Sequence, residues 1–347
     1  MTKPIEIGLS AVILAVTDEE PRVLTVHHPP STSLTQQPQP EEEETPPALP
    51  FAPLDPIEHR TLELGLRSHV LSQTGMDLGY VEQLYTFGDR DRLYGHDEHT
   101  PRLISVAYLA LVQETRALLQ DTHWTSCYNF FPWEDWRDGQ PEILEATIYP
   151  ALKCWMAQGE DETERHQRQE RAAITFGWGQ APWDGYRVLE RYELLYEMGL
   201  IPEAHRDSGE GNTVFPPGNQ PNTESPTLEK EREYLGTPMA LDHRRILSTA
   251  MGRLRGKIKY RPVVFELLPE TFTLLHLQRV VEALSGFPLH KQNFRRLVER
   301  GGLVEGTGML DTQTGGRPAK LFRFRREVLR ERPTPGVGLP GAPTHRR

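Results

Sequence analysis

The side chains best suited to chemistry crowd into the last quarter of the sequence. His290, Lys291, Gln292, Asn293, Arg295, Arg296 and Arg300 share one short stretch, in which the apolar residues Phe294, Leu297 and Val298 recur at helical spacing. Arg and Lys reach guanine edges or phosphates, and Asn and Gln can pair with adenine through two hydrogen bonds. A helix that displays both types can therefore read a major groove. Further on, Thr314-Gly315-Gly316-Arg317-Pro318-Ala319-Lys320 separates two β-rich runs, residues 303–310 and 321–324. Such a hairpin is a wing whose Arg317 and Lys320 can meet phosphates or a minor groove. The competing readings are a basic face that is merely solvated and a winged helix that binds protein. RNA is disfavoured, because the segment lacks the aromatic platform used by readers of single strands.

Other candidate groups are weaker. His96, Asp97, Glu98 and His99 occupy consecutive positions of a polar loop, where adjacent side chains rarely converge on one ion. The His27-His28 pair and the acid run Glu41 to Glu44 read as solvated for similar reasons. Cys127 and Cys154 are too few for a disulfide framework and lack the partners of a zinc site. No metal and no cofactor is implied.

The elements that must carry the basic stretch are legible. Thr271 or Thr273 can cap a helix whose stripe is Leu274, Leu277, Val280, Val281 and Leu284. Ser285-Gly286-Phe287-Pro288 breaks it, and a second helix over residues 289–300 stops at Gly301-Gly302. Two helices joined by a short glycine-containing turn, followed by a wing, spell a winged helix-turn-helix. Ahead of it, residues 241–259 form a helix with Ile246, Leu247, Ala250, Leu254 and Ile258 on one face and Arg244, Arg245, Arg253, Arg255 and Lys257 around the rest.

The front of the chain mixes strand and helix patterns. Residues 5–16 and 22–27 read as a hairpin, residues 57–75 as a helix ending at Gly75, and residues 81–87 and 103–112 as an antiparallel pair. Residues 172–176 look like a further strand, and residues 186–198 like a helix closing at Gly199. This mixture predicts an α+β domain. All six tryptophans fall within residues 122–185, a density that favours an ordinary core over a base-stacking platform. Residues 29–46 and 207–227 have the Pro- and Gly-rich composition of a disordered insertion and a linker. The resulting division is a sensor domain over 1–235, a winged helix-turn-helix over 236–330 and a disordered tail over 331–347.

Charge supports that division. The net charge is −10, yet residues 236–347 hold 21 Lys and Arg against 9 Asp and Glu, while residues 1–235 hold 18 against 40. A basic third on an acidic body suits a polyanion-binding module carried by a different kind of domain. No apolar run approaches the length needed to cross a bilayer, which points to the cytoplasm and no membrane partner.

Val81-Glu82-Gln83-Leu84-Tyr85-Thr86-Phe87-Gly88-Asp89 and Arg102-Leu103-Ile104-Ser105-Val106-Ala107-Tyr108-Leu109-Ala110 resemble the Nudix domain of the Nudix-related transcriptional regulators, repressors of NAD metabolism genes. Asp242-His243-Arg244-Arg245-Ile246-Leu247, Phe265-Glu266-Leu267-Leu268-Pro269, Asn293-Phe294-Arg295-Arg296 and Gly316-Arg317-Pro318-Ala319-Lys320 extend the resemblance, which spans residues 5–27, 47–112 and 236–330. It implies a Nudix-like α/β/α sandwich with a C-terminal winged helix-turn-helix. It also implies a homodimer on a partly palindromic double-stranded DNA operator, and an effector that is a nucleotide diphosphate such as ADP-ribose, with Arg102 and Glu82 as ligand contacts. Nudix hydrolases carry Arg-Glu-x-x-Glu-Glu-x-Gly on a helix, and its carboxylates hold magnesium. Anchored on Gly75, this chain has Ser68 and His69 at the Arg-Glu pair and Ser72 and Gln73 at the Glu-Glu pair. Phe51-Ala52 replaces the preceding double glycine. Hydrolysis of the usual kind is therefore not expected, and the alternative is an active hydrolase with an accessory winged helix.

Overall fold

Side-chain alternation along the first strand sets the layering of the front of the molecule. β1 (Ile5–Thr17) sends Leu9, Ala11 and Ile13 into one buried cluster and Val12 and Leu14 into another, as a strand covered on both faces must. The computed structural model describes residues 5–27, 46–89, 102–114, 119, 121–179, 181–208, 235–312, 318–331 and 335–337. Its larger sheet adds β2 (Glu20–Val26), β3 (Phe51–Pro53), β4 (Tyr80–Phe87), β5 (Arg102–Leu111) and β6 (Thr122–Ser126) in the order β4-β5-β1-β2-β6, with β3 also on β1. β1 and β5 run parallel, from Ile5 opposite Arg102 to Leu14 opposite Leu111. The expected hairpin is present as β1 and β2, joined through Asp18 and Glu19 in left-handed conformation, and the expected antiparallel pair is β4 and β5.

Helices close both faces. On one side α1 (Leu62–Thr74) starts at Thr61, whose side chain accepts from the Leu64 N–H, and stops at Gly75, whose positive φ lets its N–H reach the Leu71 carbonyl. Its Leu66 and Val70 pack on Leu9, Ile13, Val106, Tyr108 and Ala110. The other side is built by α2 (Cys127–Phe130), α3 (Tyr149–Ala157), α4 (Glu162–Phe176), α5 (Val188–Glu197), α6 (Pro202–Ser208) and α7 (His243–Ile258). Leu194, Leu195, Ile246, Leu247, Ala250 and Leu254 from α5 and α7 join Val12, Leu14, Leu109 and Leu111 in one core. The architecture is an α+β chain with an α/β/α sandwich at its front.

Residues 172–176 are not a strand. They form the last turn and a half of α4, which Asp161 caps and Gly177 ends. The run Ala172-Ala173-Ile174-Thr175-Phe176 favours a strand locally, but the helix formers before it and the buried Ala172, Thr175 and Phe176 at helical spacing override that preference. Trp133, Trp136, Trp155 and Trp183 are buried in the core. Among the described residues, no helix is long and apolar enough to cross a membrane. The 29–46 insertion lies almost wholly outside the described residues, as do His28, Glu41 to Glu44, and His96 to His99.

Candidate nucleic-acid interface

β7 (Phe272–Thr273) leads directly into α8 (Leu274–Ser285), with the Thr273 hydroxyl accepting from the His276 N–H at 3.0 Å. Leu277, Val280, Val281 and Leu284 are buried, and α8 ends at Gly286 in the left-handed conformation. α9 (Lys291–Arg300) follows. Two polar residues on the buried face of α8 clasp its start. The Glu282 carboxylate accepts from the Leu289 N–H at 2.8 Å, and the Gln278 amide donates to the Leu289 carbonyl at 2.9 Å and to Glu282 at 2.8 Å. Arg279 donates to the other oxygen of Glu282 at 3.0 Å. Reading the sequence for functional residues misses this clasp. Its signal is Gln278, a polar residue one helical turn from Leu274 and in line with Val281 on an otherwise apolar stripe.

α9 buries Phe294 and Val298 and turns Lys291, Gln292, Asn293, Arg295, Arg296 and Arg300 to the outside; His290, at its N-cap, is exposed as well. Arg296 reaches the Asn293 Oδ1 at 3.5 Å. His290 makes no side-chain capping bond, so the first N–H groups of the helix keep their attraction for an anion beside the cationic face. The wing consists of β8 (Val304–Asp311) and β9 (Ala319–Phe324), paired antiparallel with an irregularity between Gly306 and Leu310, and β9 also carries β7. Lys320 is exposed opposite Leu310. Arg323 is engaged by Glu305 at 2.6 Å and Arg325 by Glu331 at 2.5 Å. Residues 313–317, and Arg317 with them, lie outside the described residues.

At the front, α1 carries Ser68, His69, Ser72 and Gln73, the residues that the resemblance sets at the charged positions of a Nudix hydrolase. The Gln73 amide accepts from the Phe51 N–H at 3.2 Å and donates to the Phe51 carbonyl at 2.7 Å, tying α1 to β3. The His69 Nε2 lies 3.1 Å from the Pro53 carbonyl, and its ring meets His59 edge to face. Burial and then the neighbouring His59 push the His69 imidazole below its ordinary pKa. Ser72 donates to the His69 carbonyl at 2.9 Å, and Ser68 is exposed. Among the described residues, no cluster of three or more His, Cys, Asp or Glu side chains could hold a metal ion. Glu82 is held by Lys257 of α7 and accepts from the Tyr80 hydroxyl at 2.8 Å. Arg102 donates to the Gly88 carbonyl at 2.7 Å. Glu82 pairs opposite Leu109, towards the far end of β5 from Arg102, so the two are not brought together.

Residues 264–324 match the family model of the NrtR DNA-binding winged helix domain. The C-terminal module is similar to that winged helix domain. An ADPR-responsive transcriptional repressor, NtrR, from Acinetobacter baylyi is 39% identical over 98 residues, 28% of this chain and 38% of the relative. The match thus spans well under half of that relative's length. NrtR of Shewanella oneidensis, solved in complex with a 27mer DNA, has 20% identity over 93% of this chain and 94% of its own, with a TM-score of 0.51. At that identity the likeness concerns the fold alone. The same Shewanella protein solved without DNA gives 20% identity over 93% and 95% of the two chains, with a TM-score of 0.49.

The winged-helix module does not draw on all the basic residues near it. On α7, Arg244 is buried against Glu203 at 3.1 Å and Arg255 against Glu134 at 2.5 Å. Arg245 pairs with Glu193 at 2.5 Å and also with Asp242 and Asp89, while Lys257 takes Glu82. These cations hold α7 to the acidic front. Exposed cations outside these pairs include Lys291, Arg295, Arg296 and Arg300 of α9, Lys320 of the wing and Arg253 of α7.

Proposed function

We propose that the protein is a transcriptional repressor. It grips a double-stranded DNA operator with the α9 face, His290, Lys291, Gln292, Asn293, Arg295 and Arg296, and with the wing at Arg317 and Lys320. The observation that carries this reading is the exposed cationic and amide-bearing face of α9 within a module of the NrtR DNA-binding type. By the same resemblance the protein acts as a homodimer on genes of NAD metabolism. A nucleotide diphosphate such as ADP-ribose, bound in the Nudix-like domain, releases it from DNA. Such coupling needs the ligand to favour the poorly binding arrangement by only about 1–3 kcal/mol. Arg102 and Glu82 are the assigned effector contacts, and Glu82 can serve only by exchanging Lys257. An effector that draws Glu82 away thereby loosens the hold of α7 on β4.

The Nudix-like domain senses and does not hydrolyse. Neutral hydroxyl, imidazole and amide groups at Ser68, His69, Ser72 and Gln73 cannot offset the dehydration of two hard cations beside a diphosphate. Footprinting and gel shifts on the upstream regions of neighbouring NAD-related genes test the reading. Binding should be protective, salt-dependent and reversed by ADP-ribose. Absence of salt-dependent duplex binding would sink it, and ADP-ribose turnover with magnesium at about 1 per second or faster would favour a hydrolase instead.

A further inference from the structure

The end of α8 is held in an uncommon way. A helix leaves its last carbonyls without intrahelical donors, and at an exposed end water supplies them. Here Ala283, Leu284 and Ser285 are buried, and the donors come from outside the helix-turn-helix, from α2, the turn after it and α7. The Tyr128 hydroxyl donates to the Ala283 carbonyl at 2.6 Å, and the Arg255 Nε–H donates to the Leu284 carbonyl at 3.0 Å. The Trp136 backbone N–H donates to the Gly286 carbonyl at 2.7 Å. Tyr128 belongs to α2, Trp136 follows a 3-10 turn (Pro132–Glu134), and Arg255 belongs to α7. Gly286 comes so close to this turn that a Cβ on it would lie 2.3 Å from the Glu134 carbonyl oxygen.

Aromatic contacts and a buried ion cluster back these bonds. The Trp136 ring stacks on Phe287, at 5.7 Å between centroids, and meets Trp183 at 4.6 Å. The Arg191 guanidinium lies over Trp183 at 3.9 Å. Behind them the Glu134 carboxylate, fully buried, is shared by Arg191 at 2.5 Å and Arg255 at 2.5 Å. The residues that would have to pivot if α8 and α9 rotated against the sheet, 283 to 287, are the residues gripped at every position but Ser285.

We propose that Tyr128, Trp136 and Arg255 are positioning residues that weld the helix-turn-helix to the Nudix-like domain. They fix the angle at which α9 is presented, so within a subunit the winged helix does not swing. A signal from the front domain then reaches DNA as a movement of whole subunits that changes the spacing of two α9 helices in a dimer. Its geometry stands on the contacts above, and only its consequence for DNA rests on the repressor reading.

Pulsed electron spin resonance on the full chain tests the weld. Cys154→Ser removes the exposed thiol. Nitroxides then go on Leu71→Cys in α1 and Glu299→Cys in α9, both exposed positions, and the labelled chain is diluted with unlabelled protein to leave intrasubunit distances. A single narrow distance is expected, unchanged by ADP-ribose. Tyr128→Phe, which keeps the ring, and Phe287→Leu should each broaden it. On unlabelled protein they should lower affinity for a duplex selected from a random library by about tenfold while leaving the salt slope intact. A broad or double distance with the junction unaltered would overturn the weld. So would an unchanged width in both variants, with Tyr128→Phe conserving shape should Phe287→Leu fail to fold. Narrow distances that broaden as expected in a chain that binds no duplex would overturn the repressor reading and leave the weld standing.

Discussion

Glu134 is a carboxylate without solvent exposure, shared between two guanidiniums that are themselves buried. Burial alone would raise its pKa, but Arg191 and Arg255 outweigh that and hold the carboxyl below the usual carboxylate range. The surplus guanidinium donors find carbonyls at Thr175, Asp184, Gly185 and Leu284. Glu134→Gln keeps the shape and removes the charge, leaving two buried cations uncompensated. It should cost about 3–5 kcal/mol in denaturant unfolding. A depressed pKa in the fold means that this stabilisation is complete above the unfolded carboxylate value, about 4.3, and is lost as pH falls through the folded value. The variant should lack that acid-dependent part. His243 gives a second pH dependence. Burial, then the charge of Arg206, pushes its imidazole down to about 3, and its Nδ1 accepts from the Leu49 N–H at 3.0 Å. The unfolded imidazole takes a proton near pH 6.5 and the folded one does not, so stability declines as pH falls below that point. Between pH 7 and pH 5 the loss from this residue is about 2 kcal/mol, and urea titrations should show it reduced in His243→Gln.

At the scale of the element, α9 separates the residues that pack from those proposed to read DNA. Phe294 and Val298 anchor it, while Arg295 and Arg296 face outward. Arg295→Ala or Arg296→Ala should weaken duplex binding by about 1–3 kcal/mol, with a shallower salt dependence wherever the lost contact was a phosphate. Thermal unfolding of both should match that of the parent chain. Unaltered gel shifts for the two would remove this face from the interface. α8 and α9 were legible because a cap at Thr273, a stripe from Leu274 to Leu284 and a stop at Gly286 are all local signals. The strand alternation of β1, β4 and β5 was legible for the same reason. Residues 172–176 misled, since a β-favouring run of five cannot outvote a helix capped at Asp161 and ended at Gly177. The clasp of Gln278 and Glu282 on Leu289 was hidden, because a polar residue on a buried face does not name its partner. The sharing of Glu134 by Arg191 and Arg255 was not legible at all, since nothing in a sequence marks which distant charges meet.

At the scale of the whole molecule, charge and core divide the chain differently. Acidic residues dominate the front, and α7, although rich in arginine, spends Arg244, Arg245, Arg255 and Lys257 on Glu203, Glu193, Asp242, Glu134 and Glu82, while its Arg253 stays exposed. If α9 and the wing grip DNA as proposed, an acidic body that repels the same polyanion orients the approach. The apolar core respects no such boundary. Leu277 and Val281 of α8 and Phe294 and Val298 of α9 share one cluster with Val12 and Leu109 of the sheet, so unfolding the winged helix alone would strip the sheet of part of its cover. Burial of that kind makes the two parts melt together. Tryptophan fluorescence reports only on residues 122–185, where all six indoles lie. A dye on Glu299→Cys, in the Cys154→Ser background, reports on α9. In urea the two signals should follow one curve with a common midpoint, and an earlier transition at the dye would mean that the winged helix is an independent body riding on the sheet.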